Sequence, residues 1–220
     1  MTQIVRIQNR VDLDNGIRLA AEILKTGGVA LYPTDTTYAL AVNALDAEAI
    51  DRVFQLKGRD YSKPIHVIVR DIGQASRYVI LNDTARQIAE HFLPGALTLV
   101  LTQNANSGIP PVLVANANTL GIRIPDHPVC KSLSGALDFP VTTTSANRSG
   151  LPNTYTIESV EQQLGTDFKT IDLILDASQL EAGGVSTVIA IEAESIKLIR
   201  EGIIPFESIT DFVNHTRRKV

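Results

Sequence analysis

Helical and strand patterns alternate along the whole chain, and this alternation constrains the fold more than any other feature. Apolar residues at helical spacing, as at Ile17, Ala20, Ala21 and Leu24, recur between short apolar runs that end at proline or glycine. No Gly/Ser-rich or Pro-rich linker divides the sequence. The 220 residues are therefore predicted to form a single open α/β domain, with a twisted sheet of mixed parallel and antiparallel strands flanked by helices.

The individual elements are predicted from periodicity and from capping residues. Strands are expected at 29–32, 65–69, 97–101, 121–124, 140–144, 173–175, 185–191 and 196–199. Helices are expected to start at Asp12 or Asp14, Asp46, Asp71, Asp83, Pro128, Ile157 and Pro205. Residues 104–118, which hold two adjacent prolines and several asparagines, are expected to form a mobile loop. Residues 207–220 are expected to form a terminal helix and a basic tail.

Composition restricts the class of protein. A net charge of −4 argues against a protein whose function depends mainly on electrostatic attraction to nucleic-acid backbones. The single cysteine, Cys130, lies in an apolar segment, so it is expected to be a buried small hydrophobe in a reducing compartment. The four histidines pair with no cysteine at metal-ligand spacing. Without a signal sequence or a membrane-length apolar run, the predicted location is cytoplasmic.

Two clusters of hydroxyl residues follow apolar runs. Residues 142–150 read Thr-Thr-Thr-Ser-Ala-Asn-Arg-Ser-Gly after a run that ends at Val141, and residues 31–40 show a similar break at Pro33. So many polar groups are not expected in a protein core, because burying each one without a hydrogen-bond partner costs free energy. The clusters indicate loops that bind a polar, anionic ligand, although a polar surface turn has the same composition.

Clustered cations point to a phosphate-bearing ligand. Lys57, Arg59 and Lys63 can form a phosphate clamp, or they can simply be the solvated end of a helix. Neither a P-loop nor a Gly-x-Gly-x-x-Gly fingerprint is present. Arg123, flanked by isoleucines in a predicted strand, is either a structural ion-pair partner or a carboxylate-binding arginine.

Seven segments occur in the order found in one known family: YPTDTTYAL, LKGRDYSKP, PGALTLVL, LGIRIPDHP, TTTSANRSG, GGVSTVIAI and LIREG. On these segments the chain resembles the YrdC-type threonylcarbamoyl-adenylate (threonylcarbamoyl-AMP) synthases, in their short single-domain form, over residues 17–206. The resemblance implies a YrdC-like fold with a concave, positively charged cavity. It also implies a reaction in which L-threonine, bicarbonate or CO2, and ATP yield threonylcarbamoyl-AMP and pyrophosphate, for threonylcarbamoyladenosine modification of tRNA.

The resemblance also implies which residues bind the substrates. Threonine is expected to contact Thr36, Arg123, Thr143 and Ser186. ATP is expected to contact Lys57, Arg59, Lys63, Thr119, Ser145, Asn147, Asn153 and Arg200. No side-chain nucleophile is needed, and Mg²⁺ is expected on the phosphates although the sequence identifies no metal site. The implied partner is a tRNA threonylcarbamoyl transferase complex, with tRNA itself bound weakly or indirectly and no role for a membrane.

The chain departs from the family pattern in its first hydroxyl loop. The family usually has glycine at the position of Ala39 and often at that of Ala41, and alanine restricts φ and adds a methyl group at each position. A neighbouring subgroup of similar fold also carries Tyr-Ala-Leu here, but it usually lacks the intact Ser-Ala-Asn loop. The alternative function is therefore a YrdC-fold nucleotide- or RNA-binding protein without synthase activity.

Overall fold

The computed structural model describes residues 2–193 and 195–217. In chain order, strands β1 to β10 are Gln3–Arg6, Ala30–Pro33, Tyr38–Ala41, His66–Ile68, Leu97–Thr102, Thr119–Arg123, Val141–Ser145, Leu173–Asp176, Thr187–Glu192 and Ser195–Arg200. Helices α1 to α7 are Arg10–Lys25, Ala47–Lys57, Ile72–Ala75, Asp83–Phe92, Pro128–Gly135, Ile157–Leu164 and Phe206–Arg217. A 3₁₀ helix, Gly165–Thr170, follows α6.

All ten strands belong to one sheet, in the order β1-β8-β2-β3-β7-β4-β6-β5-β9-β10. The pairs β1–β8, β2–β8, β4–β6 and β5–β9 are parallel, and the other five pairs are antiparallel. This mixed sheet with flanking helices confirms the predicted fold class. No helix in the described ranges is long and apolar enough to cross a membrane.

The two faces of the sheet are covered unequally. Side chains alternate between faces along each strand. One face, with Leu40, Val67 and Ile122, contributes to the larger core, which also includes residues of α2, α4, α6 and α7. The other face packs against α1 and α5 only over the half that contains Tyr32 and Val141. Apart from Ile68 of β4, the strands β4, β6, β5 and β9 contribute no residue to this smaller core, so its helices do not cover their half of the face.

Several predicted boundaries are corrected by the structure. The N-cap of α1 is Asn9 rather than Asp12 or Asp14, and Asn82 caps α4 one residue before Asp83. Asp46 and Asp71 cap α2 and α3 as predicted. The strands β1 and β3 are not predicted from sequence: β1 is mostly exposed, and β3 directly follows the hydroxyl cluster assigned to a loop.

The strand β3 changes the interpretation of two alanines. Ala39 and Ala41 lie within β3, opposite Tyr32 and Ala30 of β2, and both are buried. They are therefore not part of a loop, and the extended backbone of a strand suits alanine without strain. Their methyl groups pack in the smaller core, which also contains the buried Cys130.

The stretch 104–118 contains neither a helix nor a strand, as expected of a loop, but part of it is packed into the core. Ile109, Leu113 and Val114 are buried in the larger core. The carbonyl of Leu113 accepts a hydrogen bond from the backbone N–H of Ile65 at 2.9 Å. Three apolar side chains among the prolines and asparagines anchor this connection. Of the terminal segment, α7 ends at Arg217, and the remaining tail residues 218–220 lie outside the described residues.

Candidate functional site

A polar cavity of about 170 Å³ lies on the uncovered part of the sheet. Seven separate segments of the chain contribute to its wall, if Asn153 is counted with 143–145. Eight residues expected from sequence line it: Thr36, Arg59, Arg123, Thr143, Ser145, Asn153, Ser186 and Arg200. The cavity thus contains all four residues expected to bind threonine and four of the eight residues expected to bind ATP.

Lys57 lies behind the cavity and holds the Ser-Ala-Asn loop. Its side chain is only 1% exposed. The Nζ atom donates hydrogen bonds to the Ser145 carbonyl, to the Asn147 carbonyl at 2.7 Å and to Asn147 Oδ1 at 3.3 Å. The solvated helix end considered from sequence is therefore wrong. Burial, with a smaller effect of Arg59, lowers the pKa of Lys57 to about 7, while three oxygen acceptors favour its charged form.

Asn147 is also committed to the loop rather than to the cavity. Its Oδ1 accepts from Ser145 Oγ at 2.5 Å, and its Nδ2 donates to the Leu151 carbonyl at 2.5 Å. Lys57 and Asn147 together fix the backbone that presents Ser145. Their role in the structure is to position the loop.

We expect Lys57→Met to lower the free energy of unfolding by about 1–3 kcal/mol, because two loop carbonyls would lose a buried donor. Lys25 is a matched control, since it lies in the last turn of α1 but is exposed. Lys25→Met should change stability by less than about 0.5 kcal/mol. Urea denaturation of both variants measures the difference. Equal, small losses would contradict the positioning role of Lys57.

Arg123 is a buried cation in the cavity wall. Its Nη2 lies 2.6 Å from Asp35 Oδ1, its Nη1 donates to Thr36 Oγ1 at 3.1 Å, and its Nε donates to the Gly95 carbonyl at 3.4 Å. A guanidinium has five N–H donors, so two remain for a ligand. The ion pair and the carboxylate-binding role are therefore compatible. Sequence reasoning misses Asp35, which in isolation looks like an ordinary loop aspartate.

The hydroxyls of the first loop serve mainly to build it. Thr34 Oγ1 accepts from the backbone N–H groups of Thr36 and Thr37 and donates to the Thr37 carbonyl at 2.7 Å. Thr37 Oγ1 donates to the Thr154 carbonyl at 2.6 Å. Such local side-chain bonds stabilise a turn in place of regular structure. They hold Thr36 against Arg123.

Ser186 and Arg200 form one unit at the far side of the cavity. Arg200 donates to the Ser186 carbonyl from Nε at 3.2 Å and from Nη2 at 2.8 Å, and Nη2 lies 3.0 Å from Ser186 Oγ. Thr98 Oγ1 lies 3.1 Å from the same Oγ. Gly202 packs so closely on residues 185–187 that an added Cβ would collide with their backbone. The end of β10 therefore fixes the start of β9.

Arg59 and Lys63 lie on the same loop, but their side chains have different surroundings. Arg59 lines the cavity, and its guanidinium donates to the carbonyls of Lys63 at 3.1 Å and Pro64 at 2.9 Å. Burial lowers the pKa of Arg59, and the negative charge of Asp60 acts in the opposite direction. Lys63 is exposed and is not among the lining residues. Only one of these two cations therefore faces the cavity.

Thr119 lies at the opposite end of β6 from Arg123. It is half-buried, pairs with Thr102 and does not line the cavity. Four residues of strand separate the two side chains by about 13 Å, and both point to the same face of the sheet. A ligand would have to extend along the uncovered face to contact both.

Sequence reasoning also misses His66. It lies in the cavity wall on β4, opposite Thr143 of β7. The absence of a side chain at Gly121 makes room for its ring, because an added Cβ there would collide with it. Burial, and then the charges of Arg200, Arg59 and Arg123, lower the pKa of His66 to about 4. The sequence contained one signal for this residue, since His66 is a polar residue within the predicted buried strand 65–69.

The donor groups of the cavity do not fit a resident metal. Its side chains supply guanidinium and hydroxyl groups, one amide and a single imidazole, and the adjacent carboxylate, Asp35, is paired with Arg123. In residues 2–193 and 195–217, no group of three or more His, Cys, Asp or Glu side chains could hold a metal ion. Magnesium prefers oxygen ligands, including substrate phosphates. We assign it no protein site.

The fold and the cavity define a class of protein: an open α/β domain whose half-covered sheet holds guanidinium and hydroxyl groups suited to small anions. Residues 22–202 match the model of the Sua5/YciO/YrdC family, which is described as telomere recombination. The chain belongs to this family, which confirms the resemblance found in its sequence.

Relatives from three organisms illustrate the similarity. A Methanocaldococcus jannaschii protein, provisionally named threonylcarbamoyl-AMP synthase, is 37% identical over 87% of this chain and 87% of its own length. The threonylcarbamoyl-AMP synthase of Pyrococcus abyssi is 30% identical, and the match covers 99% of this chain but 62% of that protein. The crystal structure of P. abyssi Sua5 complexed with L-threonine has a TM-score of 0.86 at 30% identity, covering 96% of this chain and 60% of that one.

A relative without an assigned activity is also similar. The crystal structure of E. coli YciO has a TM-score of 0.79 at 26% identity, and the match covers 92% of this chain and 96% of that one. The protein of that name in E. coli K12 is described as uncharacterized.

Proposed function

We propose that this chain is an L-threonylcarbamoyladenylate synthase, a nucleotidyltransferase that makes threonylcarbamoyl-AMP and pyrophosphate from L-threonine, bicarbonate or CO2, and ATP. The observation that carries the proposal is that Arg123 and Thr36 line the same cavity as Arg59, Ser145 and Arg200. One part suits an amino-acid carboxylate and the other suits phosphates. Relatives named for this activity support the assignment.

The reaction can proceed without a side-chain nucleophile. The threonine amine adds bicarbonate and loses water to give a carbamate, and a carbamate oxygen then attacks the α-phosphorus of ATP. The bond from the α-phosphorus to the bridging oxygen breaks, and pyrophosphate leaves. The protein contributes by positioning two anions and by stabilising charge on the transferring phosphoryl group.

Residues of the cavity are assigned to threonine by their geometry. The two remaining N–H groups of Arg123 would bind the carboxylate, and the hydroxyls of Thr36, Thr143 and Ser186 would bind its polar groups. Arg123, Thr36 and Ser186 are already held by hydrogen bonds within the protein. Such preorganisation reduces the entropy lost on binding.

ATP is assigned to the other side of the cavity. Arg59, Ser145, Asn153 and Arg200 would contact the phosphates, with magnesium entering on the substrate as MgATP. Thr119 remains a candidate contact for the nucleoside, which would then lie along the uncovered face of β6. From the expected set, we now assign Lys57 and Asn147 to loop positioning and leave Lys63 at the exposed rim.

The second candidate function is nucleotide or RNA binding without synthesis. It is retained because the chain also matches nearly the whole of E. coli YciO, a protein described as uncharacterized rather than as a synthase. Pyrophosphate release in the presence of ATP and Mg²⁺ distinguishes the two. Release that requires both L-threonine and bicarbonate supports the synthase, whereas release that is absent or independent of threonine supports the alternative.

The product would be consumed by a tRNA threonylcarbamoyl transferase complex, and we propose that tRNA itself binds this chain only weakly. The net charge of −4 provides little attraction for a phosphate backbone. The cytoplasmic location remains a prediction.

Arg200→Lys is expected to weaken ATP binding about tenfold. The ammonium group of lysine cannot replace the paired N–H donors of the planar guanidinium, and the loss of one charge-assisted hydrogen bond costs about 1.5 kcal/mol. Threonine affinity should also fall, since Arg200 holds Ser186. Calorimetric titration of each ligand checks both effects. Arg86→Lys, at an exposed position of α4, is the matched control. Wild-type affinity for both ligands in Arg200→Lys would remove Arg200 from the site.

A further inference from the structure

His66 is the cavity residue that the proposed reaction leaves without a role. It is half-buried, and its ring forms part of the cavity wall between Thr143 and Gly121. In the part of the chain that the structure describes, neither ring nitrogen has a hydrogen-bond partner. No buried side-chain nitrogen or oxygen is left unpaired there. The ring nitrogens are therefore accessible, and the cavity is the space that they can face.

The charges around this ring are almost all positive. Arg59 acts on it from the loop before β4, Arg123 from β6 and Arg200 from β10, whereas Lys63 of the same loop is exposed. The neighbouring strand β7 contributes only the hydroxyls of its threonines and serine. The nearby carboxylate of Asp35 is already paired with Arg123. A neutral imidazole is thus favoured in the empty cavity.

We propose that His66 binds a proton when a polyphosphate enters the cavity and then acts as a further cationic ligand to it. The inference rests on the proposed function, which places the phosphates of ATP and the pyrophosphate product beside Arg59 and Arg200. A polyphosphate carries several negative charges, so it cancels the field that disfavours the imidazolium ion. L-Threonine, with no net charge, does not have this effect.

The sign of the pH dependence follows from linkage. The pKa of His66 is about 4 without ligand and rises when the polyanion is bound. Between these two values the complex holds one more proton than the free protein. Pyrophosphate affinity attributable to His66 therefore increases as the pH falls through the ligand-bound pKa, and it stops increasing below about 4.

Calorimetric titration with pyrophosphate at pH 6, in buffers of different ionisation enthalpy, measures this proton uptake. His66→Gln keeps a polar side chain that cannot be protonated, and His215→Gln changes an exposed histidine of α7 as a matched control. We expect less proton uptake in His66→Gln than in wild type, and affinity about tenfold lower, as for the loss of one charge-assisted hydrogen bond. His215→Gln should match wild type.

A second measurement avoids any dependence on the variant. The His66 imidazole of the wild-type protein can be titrated by NMR with and without pyrophosphate, and its pKa should rise on binding. Tight binding with the same proton uptake in wild type and His66→Gln, or an unmoved imidazole titration, would overturn the role of His66 alone. Failure of wild-type protein to bind pyrophosphate would overturn the proposed function as well.

Discussion

Arg123→Gln is expected to abolish most threonine-dependent activity and to destabilise the fold. The guanidinium and its partner Asp35 are both largely buried, with 5% and 15% of their side chains exposed. Removing one partner of a buried ion pair costs about 3–5 kcal/mol, because the other charge is left uncompensated. Two charge-assisted bonds to the threonine carboxylate would also be lost, at about 1.5–3 kcal/mol each, so KM for threonine should rise by about 100-fold or more.

The double variant Asp35→Asn/Arg123→Gln separates these two effects. Both charges are then absent, so we expect much of the stability lost in Arg123→Gln to return. Threonine affinity should not return, because the carboxylate still lacks its partner. Thermal unfolding and threonine titration of the single and double variants give the comparison. Recovery of threonine affinity together with stability would show that Arg123 is only a structural ion-pair partner.

Arg59→Ala is expected to reduce kcat by about 100-fold, which is typical of losing one preorganised contact to a transition state. Lys63→Ala provides a matched control, since this cation lies on the same loop but is exposed and does not line the cavity. Its rate should stay within a few-fold of wild type. Initial rates at saturating threonine and ATP, with thermal unfolding of each variant, measure the contrast. Similar rates in the two variants would mean that the loop does not present Arg59 to the phosphates.

The elements with clear periodicity are predictable from the sequence, and those set by tertiary pairing are not. The apolar stripe from Ile17 to Leu24 defines α1, and Asp46 marks the start of α2. By contrast, the short sequence Tyr-Ala-Leu-Ala of β3 has no clear strand pattern, and β3 pairs with β2 and β7. The stretch 104–118 contains prolines and asparagines typical of a loop, but tertiary packing of Leu113 holds it in the core.

The sequence predicts which polar residues belong to the candidate site, but it does not predict where their side chains point. Hydroxyl clusters identify the loops that present Thr36 and Ser145. A lysine in the last turn of a helix looks the same in sequence whether it points to solvent or, as Lys57 does, to the carbonyl of a residue 88 positions later. The pairing of Asp35 with Arg123 spans the same separation of 88 positions, so no local pattern contains it.

The most direct test of the account is to identify the product made from L-threonine, ¹³C-bicarbonate and ATP with Mg²⁺. Mass spectrometry should find threonylcarbamoyl-AMP that carries the ¹³C label, together with an equal amount of pyrophosphate. Neither should form when threonine is omitted. A folded protein that binds ATP and threonine but forms no threonine-dependent, labelled adenylate would contradict the central claim.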